Sequence, residues 1–206
     1  MKLNRLDGLA DGIFAIVMTL LIIEIRVPEF HSNVTNAQLW HALGELAPLC
    51  LGYVLSFALL FTYWRAHYFV LAVAKHTDIR FTNYNALFLF FIGLIPFTTH
   101  LLGRYSYTTL AVLLYGLNIV CVGLSLLLMR KYVEKTALKD EFVGNAKSHR
   151  HAQIRILAPV IFAILAMGIC FANTTISLLL FTLLIIFNLT PRGADTVDSL
   201  LSAKRK

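Results

Sequence analysis

Arg5, Asp7 and Asp11 stand at the threshold of a stretch, Ile13 to Ile23, that carries no charge. An acid inside an apolar span is costly, roughly 2.5–3.5 kcal/mol at mid-membrane and less near the end. Asp11 is therefore expected to have partners, or else to lie at the water-facing edge. Elsewhere the chain is poor in residues set up for catalysis. It has no H-E-x-x-H, G-x-S-x-G, phosphate-loop or dinucleotide pattern, and no T-V-G-Y-G filter sequence. His149-Arg150-His151 sits in a basic loop and reads as solvated charge rather than a metal site. Cys50, Cys121 and Cys170 are odd in number, lie in apolar stretches and match neither a metal site nor a disulfide frame, which leaves packing as their role. The reading is of a non-enzyme with no metal and no cofactor.

The elements that must position these residues are read from apolarity. Hydrophobic residues make up 58% of the chain and charged ones 14%, with a mean hydropathy of +0.74. A soluble domain carries roughly 25% charged residues, so this chain lacks the polar material for a water-facing surface. The apolar residues come in six blocks: Leu9 to Ile25, Leu46 to Trp64, Ala86 to Leu102, Leu110 to Met129, Ile156 to Ala172 and Thr174 to Leu189. The fourth holds no charge and reaches the roughly 20 residues that a helix needs to cross a bilayer. These blocks predict an all-α, multi-pass integral membrane protein of six transmembrane helices, with a very tight hairpin between the last two. One membrane domain, residues 1–190, is followed by a polar basic tail, 191–206.

Charge placement predicts the orientation. With the N-terminus in the cytosol, 16 of the 18 Lys and Arg fall inside, leaving only Arg26 and Arg104 outside. Positive charge accumulates on the cytoplasmic side, so both termini are expected there. The net charge of +7 then needs no nucleic-acid partner. It reads as a topology signal and as a contact for anionic lipid head groups. Lys2 and Arg5 ahead of an apolar run resemble a signal peptide, but Asp7 and Asp11 sit where such a peptide is acid-free. The segment reads as a retained first helix. The stretch from Val27 to Trp40 is expected to be an outer loop. Lys131 to Arg155 is expected to be an inner loop, built of helical extensions joined near Gly144-Asn145. Asn33-Val34-Thr35 and Asn173-Thr174-Thr175 are sequons of the sort that arise by chance.

On an ideal first helix, at about 100° per residue, Ile16, Leu20 and Ile23 fall within about 60° of one another, and Asp11 points about 140° away from Ile16. Gly12 and Val27 extend the stripe and Thr19 borders it. Periodicity alone favours packing over pore lining for such a stripe.

The spacing Arg5-x-x-x-Leu9-Ala10-Asp11, running into Ala15-Ile16-x-x-Thr19-Leu20, resembles the first-helix signature of the transmembrane protein 175 family, the lysosomal potassium channels and their prokaryotic relatives. The family writes R-x-x-x-F-S-D, so Leu9 and Ala10 depart from it, and Ala10 cannot donate a hydroxyl hydrogen bond. Tyr63-Trp64-x-x-His67 and Asn85, ahead of Ile95-Pro96-Phe97, fit the same pattern. The resemblance implies a single-unit, prokaryotic-type channel in the cell (inner) membrane. Four copies would form a symmetric homotetramer with the first helix lining the pore. Ile16 would form the constriction, with Leu20 and Ile23 as further layers and Thr19 as a polar contact beside the pore. Arg5, Asp11, Trp64, His67 and Asn85 would form the polar network that holds this helix. Trp64 and His67 have a second reading as interfacial anchors beside Arg65. The permeant ion would be K+, with other monovalent cations possible and only weak selectivity, because an apolar ring offers no oxygen ligands and gates by drying. Two other functions stay open: a secondary transporter, disfavoured by the lack of a mid-span acid, and a membrane scaffold or regulator without transport.

Overall fold

The computed structural model describes residues 3–30, 33–136 and 146–189, and among them the extended elements are all helices. The helices are α1 (Leu3–Ile23), α2 (Asn36–Glu45), α3 (Ala47–Val73), α4 (Ile79–Gly93), α5 (Ile95–Arg104), α6 (Thr109–Thr136), α7 (Ala146–Ile169) and α8 (Thr174–Leu189). Each of the six apolar blocks falls on helix. Among the described residues four helical stretches are long and apolar enough to cross a membrane: Leu3–Ile23, Ala47–Val73, Ile79–Arg104 and Thr109–Thr136. Ile156–Ile169 and Thr174–Leu183 are shorter apolar helices.

Local chemistry accounts for the boundaries. Thr35 and Gln38 form a capping box that starts α2, with the Gln38 N–H donating to the Thr35 hydroxyl and the Thr35 N–H to the Gln38 side chain. The expected outer loop therefore ends at Thr35 rather than Trp40. Asp78 caps α4 by accepting from the Phe81 N–H at 2.8 Å. Asn173 caps α8 by accepting from Thr175 at 2.8 Å and Ile176 at 3.2 Å, which closes the tight hairpin after α7. The two junctions α2–α3 and α4–α5 share one construction, Leu46-Ala47-Pro48 and Leu94-Ile95-Pro96. Proline has no N–H to give to the preceding turn and disfavours helical geometry in the residue before it. At both junctions the ladder tightens to an i→i−3 bond, Leu46 to Leu43 and Leu94 to Phe91, each 3.2 Å. At the second junction the hydroxyls of Thr98 and Thr99 donate back to the Leu94 and Ile95 carbonyls, so the bend keeps its backbone acceptors satisfied.

The core runs along α6, which packs on α4, α5 and α7. Small residues set the approach. A Cβ on Gly116 would strike the Met167 side chain, and one on Gly123 would strike Val160. This is the close contact that small residues permit between apolar helices, where no hydrophobic drive from water exists. Polar groups inside the bundle pair with each other. Thr99 Oγ1 and Ser56 Oγ are 2.7 Å apart, Ser56 shares a 3.0 Å bond with the Tyr115 hydroxyl, and the Asn118 amide donates to Thr98 at 3.3 Å. Cys170 is buried, Cys121 partly so, and Cys50 is exposed on α3, so packing inside one chain accounts for the first two only. Helical extensions of the inner loop reach Thr136 on one side and begin at Ala146 on the other; the expected turn at Gly144-Asn145 and the basic tail 191–206 lie outside the described residues.

Candidate functional site

α1 packs on α3, α4 and α5, and it does so with one face. Leu6, Ala10, Phe14, Val17 and Leu21 are buried, spaced four, four, three and four residues apart as one stripe of a helix demands. The opposite stripe of Leu9, Gly12, Ile16, Leu20 and Ile23 is exposed. The adjacent positions Ile16 and Val17 show the contrast at its sharpest, with 60% and 4% of their surface accessible. Ile23 is exposed to 63%. A single chain thus leaves an apolar ridge about four turns long without a protein neighbour. Thr19 lies beside that ridge with its hydroxyl donating to the carbonyls of Ala15 at 3.0 Å and Ile16 at 2.8 Å. That bond consumes the hydroxyl proton, so Thr19 presents oxygen lone pairs outward.

The polar residues at the other end of α1 separate into two pairs. The Trp64 indole N–H donates to Asp11 Oδ1 at 2.7 Å, joining α1 to α3. One turn along α3, His67 Nε2 meets Asn85 Oδ1 at 2.7 Å, joining α3 to α4. Phe88 binds the pairs together. It stacks on the His67 ring at 5.2 Å with the planes 4° apart and meets Phe14 of α1 at 6.0 Å. His67 and Asn85 are buried, each 1% accessible. His67 therefore faces the bundle and not the head groups, which leaves anchoring to Trp64. Asp11 is exposed and Trp64 half-buried in the single chain, so only half of the expected network is interior. Arg5 is exposed and takes no part in either pair. By angle it stands above Ile16, about 20° away on an ideal helix. Ala10, where the resembled signature has a serine, is 1% accessible against its neighbours, and Leu9, where it has a phenylalanine, lies on the exposed ridge.

Sequence reasoning missed one contact at the far end of the same helix. His100 Nδ1 of α5 lies 3.3 Å from Glu24 Oε2, just beyond Ile23. The residues are 76 positions apart, so no spacing rule could have joined them. The same holds for the Ser56–Thr99–Tyr115 chain. Arg130, one of the Lys and Arg residues assigned to the inner side, is 7% accessible and bonded to Glu134 at 2.8 Å. Among the described residues no group of three or more His, Cys, Asp or Glu could hold a metal.

Comparison with known proteins places this geometry. Residues 5–96 match the family model described as endosomal/lysosomal potassium channel TMEM175. A protein of Chamaesiphon minutus named as a potassium channel is 36% identical over 102 residues, a stretch that is half of each chain. Another of that name, from Streptomyces collinus, is 27% identical over 179 residues, 85% of each chain. The fold is that of the crystal structure of a lysosomal potassium-selective channel TMEM175 homolog from Chamaesiphon minutus. It superposes with a TM-score of 0.77 over 90% of this chain and 95% of that one, at 24% identity. The relatives are named as channels, not as enzymes.

Proposed function

Because this chain is a relative of the TMEM175 potassium channels, we propose that it forms a potassium-permeable cation channel whose pore is lined by α1. The exposed ridge of Ile16, Leu20 and Ile23 is the observation that carries this reading. A ridge so apolar, backed by a packed opposite face, can take lipid or other copies of the chain as its cover. Four copies around a closed symmetry axis would supply it and enclose a path at the same time. In that arrangement α1, α3, the bent α4–α5 rod, α6, α7 and α8 are the six spans, with both termini in the cytosol on the positive-inside rule.

Ile16 is then the narrowest ring, and Leu20 and Ile23 are the apolar layers beyond it. A ring of sec-butyl groups offers a dehydrated cation no ligand, so the closed state is dry and conduction waits on widening. Potassium sheds its water at lower cost than sodium, which gives a weak preference without carbonyl ligands. Thr19, with its lone pairs turned outward, offers the one polar contact beside these rings. The Asp11–Trp64 and His67–Asn85 pairs fix the height and rotation of α1 against α3 and α4, so that the ridge faces the axis. Arg5, on the ridge side, is placed to contact a neighbouring copy. The membrane is that of a prokaryotic cell, with anionic lipid at the basic cytosolic face.

The test is reconstitution into planar bilayers with K+ and Na+ exchanged across the membrane, beside native mass spectrometry of the same preparation. Unitary current steps from a tetramer, with a reversal potential favouring K+, are expected. Flux without unitary steps would mean a carrier. A stable monomer with no flux would leave a scaffold and sink the channel reading.

A further inference from the structure

We infer that Glu24 is the cation-attracting residue of the pore's outer mouth and that His100 regulates it by proton uptake. The inference rests on α1 lining the pore. Glu24 follows Ile23, the last helical residue of the exposed ridge, and on an ideal helix it sits about 40° from Leu20. Its carboxylate is half exposed, so it faces water at the end of the ridge instead of being absorbed by a buried partner. Its contact with His100 also ties the end of α1 to α5, since Nδ1 and Oε2 are 3.3 Å apart. That nitrogen is cut off from water and makes no aligned hydrogen bond among the described residues. The two groups are thus at ion-pair distance without hydrogen-bond geometry.

The charges around them are few. After Glu24 come Arg26 and Glu29, and α5 adds only Arg104 beyond His100. On α2, His41 and Glu45 are paired with each other at 3.7 Å. The outer halves of α3, residues 47–64, and of α4, residues 81–93, contain no ionisable acid or base other than Cys and Tyr. Among the described residues Arg104 is the strong cation at this end of the packed helices, and Glu24's ion-pair contact is with His100. Around a fourfold axis the arrangement places four carboxylates on a ring just outside the dry constriction. With neutral imidazoles that ring raises the local cation concentration, as charged clefts with low-dielectric walls do. A proton taken up by His100 would set a cation beside each carboxylate and cancel the field.

Single-channel K+ conductance of the full-length protein in neutral-lipid bilayers tests this, with the outer solution varied in salt and pH. At about 0.01 M salt, where the screening length is roughly 30 Å, Glu24→Gln is expected to lower conductance from the outer side by on the order of twofold or more. The difference should vanish near 1 M salt, where screening falls to roughly 3 Å. Lowering the outer pH from about 8 to about 5.5 should depress wild-type conductance at low salt and leave His100→Gln unchanged. His100→Arg, which leaves the carboxylate untouched, should show the depressed value at every pH. It serves also if the Glu24 variant fails to assemble. A Glu24→Gln conductance equal to wild type at low salt, an acid response retained by His100→Gln, or a His100→Arg channel as conductive as wild type would overturn the inference. In those cases Ile16→Asn would still alter selectivity if α1 lines the pore. Absence of any wild-type K+ current would instead remove the channel reading on which the inference rests.

Discussion

α1 and α6 are both apolar helices of more than twenty residues, yet they serve the bundle in different ways. Of the most apolar stretch of α6, 56% is buried, against 28% for α1. α6 meets neighbours around most of its circumference, with Gly116 and Gly123 notched to admit α7. α1 is bound along one stripe, and its other stripe is as apolar as the first. Apolarity therefore identifies membrane helices without ranking them. What separates the packed face of such a helix from its open face is which side chains already have protein neighbours, and that is a property of the packing.

The largest effect that this contrast predicts comes from adding bulk to a glycine of each helix. At Gly123 a Cβ would collide with Val160 and lie 3.2 Å from the Tyr63 hydroxyl. Overpacking by a methylene or two costs about 1–3 kcal/mol, and Gly123→Leu adds more than that between two backbones. Folded protein should be lost, read as the absence of a monodisperse peak in gentle detergent. Gly12 on α1 has nothing within 4 Å of its Cβ position. Gly12→Leu should leave thermal stability within about 0.5 kcal/mol of wild type while reducing K+ current. Reduced folding at Gly12, or tolerance at Gly123, would erase the distinction between the helices.

A smaller effect separates two adjacent positions on α1 itself. Ile16 faces out and Val17 faces in. In the proposed pore, Ile16→Asn would replace part of a dry ring with amides, so conductance should rise and discrimination between K+ and Na+ should weaken. Val17→Asn buries an amide with no partner, at about 1–3 kcal/mol by protein measurements. It should lower the melting temperature and leave the reversal potential near wild type. Reversal potentials under K+/Na+ exchange, measured beside thermal unfolding, read both quantities. Selectivity that moved with Val17 and not with Ile16 would mean that α1 presents its other face to the ions.

The division between these faces was partly legible before any coordinates. Apolar blocks located the helices because backbone hydrogen bonds must be satisfied internally wherever lipid is the solvent. They misplaced the ends, since a helix continues past the membrane as long as its ladder does. α3 runs on from Trp64 to Val73 through Arg65 and His67, and α4 begins at Ile79, seven residues before the apolar block. α2 was legible in principle from Thr35-x-x-Gln38, a capping-box spacing whose short helix is too polar to register as a span. The ridge Ile16, Leu20, Ile23 followed from a 3.6-residue period. The Asp11–Trp64 bond answered the demand for a partner that a carboxylate beside an apolar span creates. Contacts between distant helices were not legible: Ser56 with Tyr115, or Glu24 with His100, depend on which helices pack together and at what height.

The smallest expected effect lies where α6 meets the start of α4. Asp78 uses one carboxylate oxygen to cap α4 through the Phe81 N–H and the other to accept from the Tyr132 hydroxyl of α6. The Tyr132 bond first, and the Phe81 bond second, hold the Asp78 carboxyl below its ordinary range. A carboxyl with a lowered folded-state value adds stability above its unfolded value, and that increment is lost as pH falls through the folded one. Wild type should therefore lose a small increment as pH drops through and below about 4, the ordinary Asp range. Asp78→Asn keeps a capping oxygen but no longer offers a charged acceptor to Tyr132. It should be slightly less stable than wild type at neutral pH, with the gap closing in acid. Tyr132→Phe should act in the same direction, and the double variant should be no worse than the sum of the two. Asp78→Ala, which removes the cap as well, should fall furthest. Thermal unfolding of the four variants in detergent between about pH 7 and about pH 3 checks this, since the ordinary carboxylate range lies inside that window. A gap that stayed constant through acid would mean that the Asp78 charge contributes nothing and that the contact is only a neutral cap.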